Sequence, residues 1–391
     1  MSSPQTLTYG KPTRAQAETF VTLSGQAFAF DPTQWLSSLD GDSWDNIRTL
    51  TDGDRVEAGL VIHAARQWFG GQRLPSHAIS AVLTAPESRR KKLGYSLMLH
   101  WLREARAAGV PLGVLYASTP AFYRRVGFEP AGQRMAWKVP THQLPTDTVD
   151  ARYLPMGPGA QDELGELYAR FARRQAGLLD RTPHFWRAHL QPYDGSKVYL
   201  HGIELDGVLE GYVSLQHARP NKTLVVQDAI ATTPRAARAL LALLSHHKSV
   251  ADWVVFPDGP QGPLHKLIAD NPARPEPPHE EWLLRLIDVK GALEQRGYPP
   301  VDSVLELEVA DSVMPENAGR YVLRLEAGRP LVTRGGAGRI RLDVRALAAI
   351  FSGFAHPSEM GAADTLEGSP GDVALLGAAF AGPRPFLLDA F

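Results

Sequence analysis

The sequence contains no cysteine among its 391 residues. Disulfides, thiolate nucleophiles and cysteine-ligated zinc sites are therefore excluded, and the composition fits a reducing compartment. The sequence also contains no run of about 18 apolar residues, the length that a helix needs to span a membrane. The N-terminal segment lacks the basic region followed by an apolar run that marks a secretory signal. We therefore expect a soluble, cytoplasmic protein.

The net charge is −1, so no excess of one sign draws the chain toward nucleic acid or an anionic membrane. The histidines lack the spacing of a metal site, and neither a P-loop nor a G-x-S-x-G hydrolase motif is present. We therefore expect no metal and no nucleic-acid partner. Hydrophobic content of 44% and charged content of 21% are typical of globular proteins, at a length that suggests two or three domains.

A strand–loop–helix–strand order occurs twice along the chain and predicts an α/β unit in each copy. The predicted elements are strand 78–84, helix 93–108 and strand 111–117 in the first copy, and strand 223–232, helix 234–247 and strand 252–256 in the second. The last hundred residues carry two further strands and two helical patches, at 303–309, 320–326, 289–295 and 344–351.

Two proline-containing stretches, 140–159 and 270–280, are predicted to be linkers. They divide the chain into three expected domains, at 1–145, 146–283 and 284–391. The fold class predicted for the whole chain is α/β (α+β).

The loop between the first predicted strand and helix carries four consecutive cations, from Arg89 to Lys92. The helix macrodipole makes a helix N-terminus positive, so cations there are unfavourable unless an anion binds. Helix-start N–H groups and basic side chains together form a phosphate site, and Gly94 would allow close approach of the backbone. A solvated basic turn is the alternative interpretation. The equivalent loop of the second copy, residues 232–238, lacks the glycine and most of the charge.

This loop resembles the acetyl-coenzyme A motif of the GNAT acetyltransferases, with Lys92 where the motif usually has its first glycine. Residues 116–128, YASTPAFYRRVGF, resemble the A-S-x-x-x-x-Y-x-R-x-G-[YF] signature of the enhanced-intracellular-survival (Eis) type N-acetyltransferases. The layout is similar as well: two tandem GNAT-type domains, of which only the first has an intact cofactor loop, and then a sterol-carrier-protein-like α/β domain.

The resemblance implies an acetyl-CoA-dependent N-acetyltransferase that transfers the acetyl group directly to a primary amine in a ternary complex. Main-chain groups of residues 82–84 would hold the pantetheine arm and donate to the thioester oxygen. The residues that the resemblance assigns to the cofactor are Val82, Leu83, Thr84, Arg89, Arg90, Lys91, Lys92, Leu93, Gly94, Tyr95, Ser118 and Thr119.

Tyr123 is the predicted general acid, because a phenol is protonated at neutral pH and can give its proton to a thiolate. The alternative is an aromatic side chain packed between helix and sheet. For the base, the resemblance implies the terminal carboxylate, here that of Phe391, whose apolar surroundings in sequence suggest a docked end. Asp31 and Trp35 are predicted to bind the acceptor cation, or else to be a turn residue and a core aromatic.

Two acceptor classes remain open: a small polyamine- or aminoglycoside-like molecule, and a lysine side chain. Asp389 lies one position earlier than the acidic residue usual in the family, which weakens the polyamine interpretation. The resemblance also implies a homo-oligomer, a hexamer. The alternative from another class is a non-catalytic lipid- or ligand-binding protein that uses the GNAT units as a scaffold. Lys92 favours that alternative, whereas Gly94, Tyr123 and Phe391 together favour catalysis.

Overall fold

The computed structural model describes residues 7–39, 44–146, 149–190, 197–218, 221–269 and 273–391. In the first part of the chain the elements are β1 (Leu7–Gly10), α1 (Arg14–Phe28), α2 (Thr33–Ser37), β2 (Ile47–Asp52), β3 (Arg55–Phe69), β4 (Gln72–Thr84), α3 (Leu93–Ala107), β5 (Leu112–Tyr116), α4 (Pro120–Arg124) and β6 (Glu129–Pro140).

The middle part contains β7 (Arg152–Met156), α5 (Gln161–Ala172), β8 (Leu179–Asp180), α6 (Pro183–Leu190), β9 (Tyr199–Leu205), β10 (Val208–Ala218), β11 (Thr223–Ala231), α7 (Pro234–Ser245), β12 (Trp253–Pro257), α8 (Pro263–Lys266) and β13 (Arg274–Leu286). The last part contains α9 (Val289–Gln295), β14 (Ser303–Ala310), β15 (Gly319–Glu326), β16 (Arg329–Arg334), β17 (Ile340–Asp343), α10 (Val344–Ser352), α11 (Pro357–Ala362), β18 (Leu366–Glu367) and α12 (Pro370–Ala379).

Strands β1 to β13 build one continuous sheet. Its order is β1-β2-β3-β4-β5-β13-β6-β12-β11-β10-β9-β7, and β8 pairs with β3 outside that path. Neighbours along it are antiparallel except β4 with β5 and β11 with β12, which are parallel. The predicted repeat is therefore confirmed, because each copy contributes one parallel pair joined by a helix. None of the described helices is both long and apolar enough to cross a membrane.

The remaining strands form a separate sheet in the order β16-β15-β14-β17-β18. Helix α10 packs between this sheet and the first one, where Leu347, Ile350 and Phe351 are fully buried. The third unit therefore shares a core with the first.

The prediction of a linker at 270–280 is wrong for residues 274–280, because they belong to β13. That strand pairs with β6 and β5, and its register with β6 shifts between Glu276 and His279. The two prolines between them lie at this irregularity, where the missing N–H groups cost no ladder bond. Residues 270–272 lie outside the described part of the chain. The other predicted linker, 140–159, contains β7, and its residues 147–148 are not described.

The end of the chain returns to the large sheet after α12. Gln133 N–H donates to the carbonyl of Pro385 at 3.3 Å, and Leu387 N–H donates back to the Gln133 carbonyl at 2.9 Å. Phe386 N–H donates to the carbonyl of Ala176 at 3.0 Å. These bonds confirm that the apolar end is docked.

A buried ion cluster fixes the same segment. Arg181 Nε donates to Asp389 Oδ1 at 2.7 Å, and Arg181 Nη2 donates to Asp228 Oδ1 at 3.2 Å. His189 Nε2 lies 2.9 Å from Asp389 Oδ1, and the Tyr212 hydroxyl donates to Asp228 at 2.5 Å. Burial by itself would raise the pKa of Asp389, but the Arg181 guanidinium and the His189 hydrogen bond bring that pKa below its usual value. Oδ1 of Asp389 is thus occupied within the protein, whereas Oδ2 is buried and has no hydrogen-bond partner among the described residues.

Candidate active site

A cleft of about 790 Å³ opens beside the N-terminal end of α3, in the size range of small-molecule sites. Most of the residues predicted to bind the cofactor line it, and so does Tyr123. The lining includes Val82, Leu83, Thr84, Arg89, Arg90, Lys92, Leu93, Gly94, Tyr95, Ser118, Thr119 and Tyr123. Lys91 is exposed and does not line the cleft, although it belongs to the same loop.

The cleft leads to a fork between β4 and β5. These parallel strands pair only from Ser76 with Leu112 to Ile79 with Leu115. Beyond that point β4 continues to pair with β3 as far as Thr84, after a register shift that coincides with Ala81 at φ 49°. The bulge turns β4 away from β5, so the backbone of residues 82–84 has no β5 partner on that side. Main-chain N–H and C=O groups are therefore left for a ligand in the fork.

The loop before α3 has a backbone suited to an anion. Arg90 and Lys92 adopt left-handed conformations, with φ 67° and φ 61°. Lys92 is the N-cap of α3 and gives no side-chain capping bond, and the first intrahelical bond runs from Ser96 N–H to the Lys92 carbonyl at 3.1 Å. The N–H groups of residues 93–95 therefore have no acceptor within the helix, and the helix dipole adds positive potential there. This is a concave array of donors of the kind that binds phosphate.

The cations of this loop are not neutralised by the protein. Within the described part of the chain, no carboxylate pairs with Arg89, Arg90, Lys91, Lys92 or Arg125, all of which are exposed. Their charge is available to an anion in the cleft.

The φ of Gly94 is not positive, so the backbone conformation does not require glycine there. What glycine provides at this position is space. A Cβ atom at this position would lie 3.3 Å from Thr84 Oγ1 and 3.4 Å from Phe122 Cζ. Any larger side chain would have to project into the cleft, which fits the role predicted for this residue.

Tyr123 is both packed and directed to the cleft. Its ring makes edge contacts with Phe122 at 4.9 Å and Phe128 at 6.0 Å, and the side chain is 7% exposed. No described residue forms a hydrogen bond with its hydroxyl. Burial raises the pKa of Tyr123 to about 12, so the phenol is protonated at any physiological pH. The two interpretations of this residue are therefore compatible.

Phe391 lies at the fork but not in the cleft lining. Its ring centroid is 5.0 Å from that of Tyr116 and 6.1 Å from that of Phe185. Tyr116 follows the last residue of β5 that pairs with β4, and its hydroxyl donates to the Asp389 carbonyl at 2.7 Å. The end of the chain is thus held beside the point where the strands separate.

Asp31 and Trp35 are not brought to the cleft. Asp31 is exposed and accepts hydrogen bonds from Thr33 N–H at 2.9 Å and Thr33 Oγ1 at 2.6 Å, which lower its pKa. The Trp35 ring packs against Phe20 and Phe30 at 6.1 and 6.2 Å. These contacts match the alternative interpretation of a turn residue and a core aromatic.

Several residues of the cleft were not predicted. Ala27, Phe28 and Phe122 line it, as does Arg125, which the Eis-type signature already contains. Ser88 is buried and donates a hydrogen bond to Glu57, which also pairs with Arg55. The signature could have pointed to Arg125, whereas the others come together only through the fold.

Comparison with known proteins identifies the domains of the chain. Residues 8–131 and 177–286 each match the family of acetyltransferase (GNAT) domains, and residues 289–388 match the sterol carrier protein domain. An uncharacterized N-acetyltransferase of Streptomyces coelicolor is 30% identical over 314 residues, which cover 75% of this chain and 75% of that protein. The N-acetyltransferase Eis of Mycobacterium tuberculosis is 27% identical over 320 residues, covering 75% of this chain and 74% of Eis.

Among solved structures, a GCN5-related N-acetyltransferase from Anabaena variabilis superposes with a TM-score of 0.93 at 28% identity, covering 98% of this chain and 100% of that one. The likeness to N-acetyltransferases over most of the chain does not favour the alternative of a non-catalytic scaffold. The chain belongs to the Eis-like N-acetyltransferases, enzymes built from two GNAT domains followed by a sterol carrier protein domain.

Proposed function

We propose that this enzyme transfers the acetyl group of acetyl-CoA directly to a primary amine, within a ternary complex formed in the first GNAT domain. The observation that carries the proposal is the unpaired basic loop at the start of α3, beside a cleft that ends at the open fork between β4 and β5. A basic loop with free N–H donors at one end and an unpaired strand edge at the other suit a pyrophosphate and a pantetheine arm.

The pyrophosphate of the donor would bind to the N–H groups of residues 93–95 and to the side chains of Arg89, Arg90 and Lys92. The left-handed backbone at two of these positions supports this, because it turns successive N–H groups toward one side. Acetyl-CoA supplies a thioester, whose carbonyl a preorganised main-chain donor among residues 82–84 would polarise. Ser118 and Thr119 also line the cleft.

Tyr123 would act as the general acid for the departing thiolate. Tyr123 lines the cleft and its hydroxyl forms no hydrogen bond with a described residue, so this hydroxyl is free to donate to a ligand atom. The high pKa keeps the proton in place until a thiolate develops beside it.

We propose that the carboxylate of Phe391 accepts the proton that the amine releases. The docking of the chain end at the fork supports this assignment. The proposed acetyl acceptor is a primary amine, either of a polyamine- or aminoglycoside-like molecule or of a lysine side chain.

A thiol-release assay tests the function directly. Purified protein and acetyl-CoA are mixed with a panel of amines and a lysine peptide, and calorimetry measures binding of coenzyme A. We expect binding and amine-dependent thiol release, both reduced when Arg89 and Arg90 are changed to Ala. A matched control changes two exposed arginines of the C-terminal sheet, Arg320 and Arg324. Coenzyme A that fails to bind at millimolar concentration would refute the proposal.

Three further statements are proposals as well, and only the first of them rests on the family resemblance. They are the hexameric assembly, the cytoplasmic location, and the domain limits at 1–145, 146–283 and 284–391. Light scattering after size-exclusion chromatography tests the first, fractionation the second and limited proteolysis the third. The last limit falls within β13, which pairs with β5 as far as Leu286.

A further inference from the structure

A smaller cavity, of about 260 Å³, lies apart from the cofactor cleft, where the three units of the chain meet. Its wall is formed by the β3–β4 turn, the end of α5, the loop between α9 and β14, and residues 381–383, which lead to the docked chain end. No aspartate or glutamate among the described residues lines it, but three arginines do: Arg173, Arg174 and Arg296. We name it the arginine cavity.

Arg296 is a buried cation that no carboxylate of the described chain neutralises. It is 4% exposed, and its guanidinium donates to the carbonyls of Phe351, Gly297 and Phe380 at 2.9, 2.6 and 3.4 Å. A guanidinium has five N–H groups, so these bonds leave two of them unused. Burial lowers the pKa of Arg296 to about 10, and the group therefore stays charged at physiological pH. A buried charge is costly unless an opposite charge compensates it.

The other buried arginines of the described chain have the partner that Arg296 lacks. Arg181 pairs with Asp389 at 2.7 Å, and Arg285 pairs with Asp311 at 2.7 Å. All three arginines are at most 9% exposed. The contrast indicates that the anion compensating Arg296 comes from outside the chain.

Arg173 and Arg174 add positive charge at the open side of the cavity. Both are exposed, so the cavity can be reached from solvent, and neither pairs with a carboxylate in the described part of the chain. Arg174 donates to the carbonyl of Thr232, which leaves its other N–H groups available, and Arg173 has no hydrogen bond to a described residue. Three guanidinium groups, one buried and two accessible, therefore line one small space.

Close backbone packing fixes the wall that carries Arg296. Gly297 lies against Gly70 of the β3–β4 turn, and a Cβ atom on either glycine would lie 2.0 Å or less from the carbonyl oxygen of the other. Gly297 N–H also donates to the Phe69 carbonyl at 3.2 Å. The cavity is thus formed before any ligand enters, which lowers the entropy cost of binding.

The arginine cavity also adjoins the docked chain end. Residues 381–383 line it, and two residues further on Pro385 accepts the hydrogen bond of Gln133 N–H. Ala176, another lining residue, accepts the hydrogen bond of Phe386 N–H at 3.0 Å. A ligand held by the arginines would therefore restrain both segments that hold the chain end.

We propose that the arginine cavity binds a phosphate dianion, either free phosphate or the phosphate group of a small metabolite, and that the bound dianion stabilises the docked chain end. Three guanidinium groups carry more charge than a single carboxylate would neutralise, and the planar fork of arginine matches pairs of phosphate oxygens. A ligand that binds only the closed arrangement shifts the equilibrium toward it. This binding does not depend on the proposed acetyl transfer.

The first test is calorimetry on the whole protein at about pH 8, where phosphate is mostly a dianion. Coenzyme A is present at saturation, so that the cofactor cleft is occupied. The titrants are inorganic phosphate, glycerol 3-phosphate and sodium chloride. We expect at least one of the two phosphates, but not chloride, to bind with a Kd of about 1 mM or lower. The tighter of the two identifies the source of the dianion, and binding of neither would overturn the inference.

The second test places a competing carboxylate in the cavity. Arg173→Glu should weaken phosphate binding at least about tenfold, without breaking a hydrogen bond to a described residue. Arg324→Glu is the matched control, since Arg324 is exposed on β15 and forms no ion pair or hydrogen bond with a described residue. Equal phosphate affinity in Arg173→Glu and the wild type would overturn the inference.

A variant of the cofactor loop separates this inference from the proposed function. Arg89→Ala combined with Arg90→Ala, titrated without coenzyme A, should bind phosphate as tightly as the wild type does with coenzyme A bound. Loss of phosphate binding in this double variant would place the phosphate in the cofactor cleft and overturn the inference. Failure of coenzyme A to bind to the wild type would remove the proposed function but not this site.

The third test follows the chain end by amide hydrogen exchange, read from a peptide that contains Phe386 and Leu387. If the chain end opens only when the cavity is empty, phosphate at ten times its Kd should slow this exchange about tenfold in the wild type. The same phosphate concentration should leave exchange in Arg173→Glu nearly unchanged. Phosphate binding without slower exchange in the wild type would refute the stabilisation of the chain end.

Discussion

Replacement of Tyr123 by Phe removes one oxygen atom from the cofactor cleft and is the most direct test of the mechanism. No described residue bonds to that hydroxyl, so the change breaks no internal hydrogen bond. The ring contacts with Phe122 and Phe128 stay in place. We therefore expect the free energy of unfolding to change by no more than about 0.5 kcal/mol.

The loss of turnover can be worked out from the pKa. The pKa of Tyr123 is about 12, whereas that of a thiol is about 8.5, so complete proton transfer to the thiolate is uphill by about 3.5 units. At about 1.36 kcal/mol per unit this is nearly 5 kcal/mol. The phenol then acts mainly by hydrogen bonding to the developing thiolate, which places the loss in kcat at the low end of general acid catalysis, about 100-fold.

The assay is steady-state thiol release across pH, with coenzyme A affinity measured by calorimetry. An acid catalyst is active below its pKa, so ionisation of Tyr123 should cause no fall in the rate of the wild-type enzyme up to about pH 10.5. Tyr199→Phe is the matched control, because Tyr199 is exposed on β9, remote from the cleft in the fold. Unchanged kcat in Tyr123→Phe, or an alkaline limb near pH 10 that this variant abolishes, would refute the reasoning.

Three further changes test other parts of the structure. Asp389→Ala should lower the free energy of unfolding by about 3 kcal/mol in denaturant titrations, because it leaves Arg181 buried with one partner fewer, whereas Asp252→Ala at an exposed pair should have little effect. Folding lowers the pKa of Asp389, so its contribution to the free energy of unfolding is present above about pH 4 and is lost as the pH falls further. If Asp389→Ala lowered the free energy of unfolding equally at pH 3 and pH 7, this reasoning would be contradicted. Lys92→Gly should leave stability unchanged or raise it by up to about 1 kcal/mol, because glycine accepts a positive φ without strain; a clear decrease would show that the side chain itself stabilises the loop. One glycine added after Phe391 should reduce thiol release if that carboxylate accepts the proton, with an unchanged melting temperature, and normal turnover would exclude this role.

Much of the fold follows from local patterns in the sequence. Helices α3, α9 and α10 were predicted nearly to their ends because their apolar spacing is regular. Strand β13 was missed because its prolines resemble a linker, and only the paired strands reveal the register shift that accommodates them. The joining of both GNAT units into one sheet depends on pairing between distant segments, which no local pattern contains.

The two halves of the site differ in the same way. Most of the cleft lining was predicted because it comes from two short contiguous segments, within residues 82–95 and 118–125, whereas Ala27 and Phe28 come from α1. The surroundings of Phe391 were not predicted, because the chain end meets Tyr116 of β5 and Phe185 of α6, which are distant from it in sequence. Phe391 alone carried a signal there, and that signal came from the family resemblance.

Lys92 shows what the cofactor motif demands of a residue. The sequence interpretation weighed Lys92 against catalysis, because the family usually has glycine at this position. In the structure Lys92 has φ 61° and ψ 18°, a conformation that glycine adopts freely and other residues adopt at a cost of about 1 kcal/mol. The loop therefore keeps the backbone shape that presents its N–H groups, and the lysine adds a positive charge at the place where a phosphate would bind. A departure from the motif that preserves the backbone and adds charge is compatible with cofactor binding, so it argues less against catalysis than its sequence suggests.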